Sequence, residues 1–157
     1  MSGLVGSRSG ELEILSPDGR IGFGRSGNMR RFQPAGFCLD DEFQDRSWSE
    51  APICHLTWLR SAPWSRLFIS ADPFLHPGRL DRQELVIYLN GLFIGMMVGR
   101  ARGPTEAEFP IPVLGRGGSE CLLTLVAPYA ASPIELGASA ADERKLGWCF
   151  VSIALGR

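Results

Sequence analysis

Apolar residues recur along this chain at every second position or in short runs, and turn residues close nearly every run. That pattern predicts strands rather than helices. Residues 11–15 read as a short strand, closed by Ser16-Pro17-Asp18-Gly19, and residues 20–23 are placed to pair with it. Residues 31–33 and 36–39 flank Pro34 as weak extended segments, and residues 40–50 form an acidic, polar loop that holds Trp48. Residues 53–60 alternate cleanly, with Ile53, His55, Thr57 and Leu59 on one face and Cys54, Leu56 and Trp58 on the other. Residues 65–71 form the next strand, ended by Asp72-Pro73, and residues 73–82 form a loop with two prolines.

The strongest local signal lies in residues 84–98. Two apolar runs meet at Asn90-Gly91, the pair that supplies both positive-φ residues of a type I′ turn. Both faces of this hairpin are apolar, which predicts a central position between layers or a contact with another subunit. Residues 106–113 alternate, but Pro110 and Pro112 restrict them to a sheet edge. Residues 115–118 form a turn, 120–127 a buried strand, and 128–146 a long polar connection with one helical turn near 142–145. Residues 148–155 close the chain as an apolar strand. Eight or nine short strands without an internal repeat predict an all-β fold: a two-sheet antiparallel β-sandwich of jelly-roll type.

Composition supports one domain. The 157 residues include 19 glycines and 11 prolines, roughly a fifth of the chain against about 12% on average. They lack a triplet period, so they punctuate strands instead of building collagen. Residues 1–35 are expected to add N-terminal strands to a body formed by residues 36–157. The net charge is −1, which implies no basic face for nucleic acid. The short arginine clusters, Arg30-Arg31 and Arg100 with Arg102, read as solvated loop charge. Residues 1–10 have no apolar core, and no apolar run has the length of a membrane helix. The expectation is synthesis in the cytoplasm without membrane insertion, followed by release if the chain belongs to a particle.

Catalytic and metal signatures are missing from the sequence. Cys38, Cys54, Cys121 and Cys149 form no C-x-x-C pair. Three sit inside apolar runs, where a thiol acts as a small hydrophobe. His55 follows Cys54 directly, so in a strand the two point to opposite faces. No G-x-S-x-G elbow, P-loop or dinucleotide fingerprint is present. No cofactor and no metal site is expected, although Asp40, Asp41 and Asp45 cluster oxygen ligands in one loop.

Three stretches occur in an order that resembles a known family. They are GFCLDDEFQDRSWSEAPICHLTWL at 36–59, VIYLNGLFIG at 86–95 and SPIELGASAADERKLGWCFVSIAL at 132–155. The chain resembles the small jelly-roll domains of bacterial surface-polysaccharide systems, which are often appended to glycosyltransferases and other capsule or lipopolysaccharide proteins. Where that family has a Trp-Gly-type turn after the tryptophan, this chain has Ser49-Glu50. The resemblance implies a carbohydrate-associated β-sandwich without a catalytic centre.

A sugar site needs a flat aromatic for the C–H face and polar groups at its rim. Trp48 has Asp45, Arg46 and Glu50 around it, and Trp64 lies in the turn at 61–64. Asp142 and Arg144 of the closing motif supply either a polar rim or an ion pair that pins their loop. These seven residues are the candidate carbohydrate-binding set. Two function classes follow: a non-catalytic module that recognises a bacterial surface polysaccharide, or a structural protein that forms a homo-oligomer or larger assembly. The second includes a spike or decoration of a phage-like particle that meets host capsule. A polysaccharide-modifying enzyme is the weaker third, which two carboxylates facing across one cleft would support.

Overall fold

The computed structural model describes residues 11–40, 42–112 and 119–157. Among them are nine strands: β1 Arg20–Gly22, β2 Ser47–Trp48, β3 Ile53–Leu59, β4 Arg66–Pro73, β5 Gln83–Leu89, β6 Leu92–Gly99, β7 Thr105–Pro110, β8 Glu120–Val126 and β9 Trp148–Gly156. All pair antiparallel in two sheets. One sheet runs β1–β9–β4–β7, with β2 following β1 along the same edge of β9; the other runs β3–β8–β5–β6. The expected all-β sandwich is therefore the fold.

Alternation builds the layers. β4 buries Leu67, Ile69 and Ala71 and turns Arg66, Phe68, Ser70 and Asp72 outward. The closing strand β9 has a bulge, because Ser70 pairs with Ser152 while Ala71 pairs with Phe150, leaving Val151 over. The extra residue lets Trp148, Phe150, Ile153 and Leu155 all face the core. Trp58, Trp148, Phe23, Phe32 and Phe150 are its largest fully buried side chains.

The structure redraws several elements. Residues 11–15 form no strand, only a bridge from Ile14 to Leu59, and residues 20–22 pair with β9 instead of with them. Where 31–33 looked extended, Met29–Phe32 is a 3-10 turn that buries Met29 and Phe32. No helical turn forms at 142–145; side-chain bonds of Arg144 hold that loop. The hairpin does not lie centrally: β6 is a sheet edge, and Phe93 and Met96 are exposed on its outer side. The proline-bearing β7 is the edge that its sequence predicts. Asp41, Val113 and the turn at 115–118 lie outside the described residues. No helix of the described residues is long and apolar enough to cross a membrane.

Asn90 and Gly91 have φ of 52° and 78°, the turn predicted for them. The Asn90 side chain also accepts a 2.7 Å hydrogen bond from the Leu122 N–H, tying the hairpin to β8. Asn90→Ala removes that bond and places alanine in the left-handed region. It is expected to cost about 1–2 kcal/mol, measured by urea denaturation.

Candidate functional site

The outer face of the five-stranded sheet carries a groove of about 400 Å³. Register explains its shape. One row across the sheet reads Arg20, Ala154, Phe68 and Glu108; the next reads Gly22, Ser152, Ser70 and Glu106. Ala154, Ser152 and Ser70 occupy the middle strands beside Phe68, so the middle is low there. Arg20 rises on one side and the two β7 glutamates on the other. Phe68 is 38% exposed in this floor, and the Ser70 and Ser152 side chains face the same space. Arg66 holds Glu108 by an ion pair at the rim. The groove thus offers one aromatic surface, two hydroxyls and charged rims of both signs. Its carboxylates stand on a single wall, opposite an arginine.

Phe68, Ser70 and Asp72 are successive outward residues of β4, so the same side of the molecule continues toward the loops. There Trp48, Cys149 and Asp72 form a third row. Trp48 is half-buried and meets Phe74 edge-on, with ring centroids 5.8 Å apart. Together with Asp72, Leu75 and Arg102 these rings line a pocket of about 290 Å³. Arg46 donates to Asp72 Oδ2 at 2.8 Å and to Asp45 at 3.2 Å. Its guanidinium holds the Asp45 carboxyl below the usual carboxylate range, chiefly through that hydrogen bond. Asp72 Oδ1 is buried with no hydrogen-bond partner among the described residues.

The other predicted residues lie elsewhere. Trp64 is a correction: it is 3% exposed and packs in the core, offering no ring face to a ligand. Glu50 is exposed past the end of β2, where its N–H donates to the Gly36 carbonyl, and it does not line the Trp48 pocket. Asp142 and Arg144 do meet each other. The Arg144 guanidinium donates twice to Asp142, at 3.0 and 2.8 Å, and once to Glu42, at 3.1 Å. Its guanidinium holds Asp142 below its ordinary range, the hydrogen bond being the largest cause. With both nitrogen sides engaged, Arg144 pins the 133–146 loop to the loop carrying Glu42. That loop is joined to β2 by the Cys38 N–H, which donates to the Trp48 carbonyl at 2.8 Å.

All four cysteines are buried and free. Burial pushes the Cys54 and Cys149 thiols up to about 12, so both stay protonated at neutral pH. No group of three or more metal-ligating side chains forms among the described residues. Phe68, Ser152 and Arg102, absent from the sequence-based set, are among the residues that register and loop folding bring to these two sites.

No protein-family model matches the chain, and no curated protein matches it in sequence. Solved structures do share its fold. One is the CBM36-1 domain of a multidomain xylanase from the hindgut metagenome of Trinervitermes trinervoides, at TM-score 0.52 and 9% identity, covering 88% of this chain and 95% of that one. Another is a carbohydrate-binding module, CBM36, in complex with calcium and xylotriose, at TM-score 0.50 and 6% identity, covering 87% and 98%. At such identity the likeness establishes architecture alone: this chain has the jelly-roll sandwich of carbohydrate-binding modules.

Proposed function

We propose that the chain is a non-catalytic carbohydrate-binding module that lays a polysaccharide strand across the outer face of its five-stranded sheet. The observation that carries this is the groove, in which Phe68 lies open between the hydroxyls of Ser70 and Ser152 and the charged rims of Arg20 and Glu106. An aromatic face packs against sugar C–H groups, and the rim groups take its hydroxyls. The shared module architecture supports the reading. The single-walled carboxylates favour binding over hydrolysis, since glycosidase chemistry places two carboxyl groups on either side of the bond. Within this function, the resemblance of the three sequence stretches points to a bacterial surface polysaccharide as ligand.

Purified capsular and lipopolysaccharide O-chains, run as a panel in affinity electrophoresis, test the proposal. Retardation by at least one polymer is expected. Phe68→Ala should weaken it at least tenfold, about 1.4 kcal/mol, in a protein that still folds, as its thermal melting will show, because more than a third of the residue is exposed. Binding that survives the substitution intact would remove the groove from the account.

A further inference from the structure

Beside the Trp48 pocket lies a second hollow of about 250 Å³, and Leu75 and Arg102 line both. Arg100 lines the second as well. Arg100 and Arg102 are exposed and, unlike Arg46, Arg66, Arg82 and Arg144, make no ion pair or hydrogen bond among the described residues. The carboxylates of the trough are already engaged: Asp72 by Arg46, and Asp81 by the Gly78 N–H at 2.9 Å. The trough therefore presents two uncommitted guanidinium groups next to an aromatic wall of Trp48 and Phe74.

We infer that this trough is a subsite for an anionic sugar, its charged group held by Arg102 and Arg100 and its ring set against Trp48. A guanidinium fork matches the two oxygens of a carboxylate, or those of a sulfate, and binds them in pairs. The inference rests on the carbohydrate-binding reading and specifies its ligand. Phe68 and Asp72 stand four residues apart on β4, ~13 Å, on one side of the sheet, so a single polymer running along the strand meets both sites.

The test uses polygalacturonate, alginate and hyaluronate, each beside its carboxyl-reduced neutral form, and a sulfated galactan beside neutral galactan. The proteins are wild type, the double variant R100Q/R102Q and F68A. For at least one pair, wild type is expected to bind the anionic form at least tenfold tighter. R100Q/R102Q should bring the two forms within about twofold, chiefly by lowering affinity for the anionic form. Both arginines are exposed and unbonded, so the double variant should fold as wild type does. A preference for the carboxylated forms alone, or shared with the sulfated galactan, names the charged group. An anionic preference missing from every pair, or retained by R100Q/R102Q, overturns the inference. F68A separates the two readings. If it abolishes neutral binding while no anionic preference exists, the groove stands and the trough fails. If it changes nothing while R100Q/R102Q erases the preference, the trough stands and the groove fails.

Discussion

Trp148→Ala is expected to lower the unfolding free energy by about 3–5 kcal/mol, the usual cost of removing a large buried aromatic. Trp148 opens β9 and is fully buried. Its indole N–H crosses from one sheet to the other and donates to the Glu84 carbonyl of β5 at 3.0 Å. The ring sits against Gly99 at the end of β6 so closely that a Cβ there would lie 2.8 Å from it. One side chain thus joins β9, β5 and β6, and the cavity left by alanine has walls fixed by two sheets. For a domain of this size about 2–4 °C accompany each kcal/mol, so thermal melting should fall by on the order of 10 °C. Trp148→Phe keeps much of the volume and loses the N–H, and should cost about 1–2 kcal/mol. An alanine variant within 1 kcal/mol of wild type would show that the indole does not clamp the sheets.

The strands that the sequence makes legible are those with enough residues to show a period. β3, β8 and β9 each turn one apolar face inward over seven or more positions. The hairpin is legible for a different reason, since only a few residue pairs tolerate two positive φ angles in succession. β1 and β2 have three and two residues, too few for any period, and they exist because β9 offers them an edge. Residues 11–15 do have a period but meet the open edge of β3 only at its last residue, which leaves the single bridge from Ile14 to Leu59. The hairpin's two apolar faces suggested burial on both sides, yet sheet order is set by non-local pairing and puts β6 at an edge.

The candidate sites were partly legible. Trp48 stands out because polar residues surround it in sequence; in space Arg46 reaches Asp72 of its pocket wall, while neither Arg46 nor Asp45 lines that pocket. Phe68 looks like one more member of an apolar run; its exposure appears only when the register sets Ala154 and Ser70 beside it instead of large side chains. Trp64 misled in the opposite sense. A turn-rich context suggested exposure, but a turn fixes only the backbone, and its side chain folded under the sheet end. Arg100 and Arg102 read as loop charge, and that is their local character. Their significance comes from Trp48 and Leu75, which lie 25 to 54 positions away in sequence and beside them in space.

Ser49→Ala is expected to cost about 2–4 kcal/mol, a large effect for the loss of one oxygen. Ser49 is 1% exposed and faces inward from the residue after Trp48. Its hydroxyl oxygen accepts from the Gly147 N–H at 3.2 Å and from the Trp148 N–H at 3.0 Å. Alanine leaves two buried donors without an acceptor, and each such group costs about 1–3 kcal/mol. The Ser49 N–H meanwhile donates to the Trp148 carbonyl at 2.8 Å, so the same residue fastens the end of β2 to the start of β9 by both backbone and side chain. Trp48 takes its position from this junction, since its own pairing is with Cys149. Weakening the junction should therefore loosen the Trp48 pocket as well as the fold, and the anionic-polymer affinity should drop in S49A even at temperatures where it remains folded. Urea denaturation and affinity electrophoresis on the same variant give the two quantities. A stability change under about 0.5 kcal/mol would mean that water replaces the hydroxyl and satisfies both N–H groups. Unchanged polymer binding in a clearly destabilised variant would detach Trp48 from this junction.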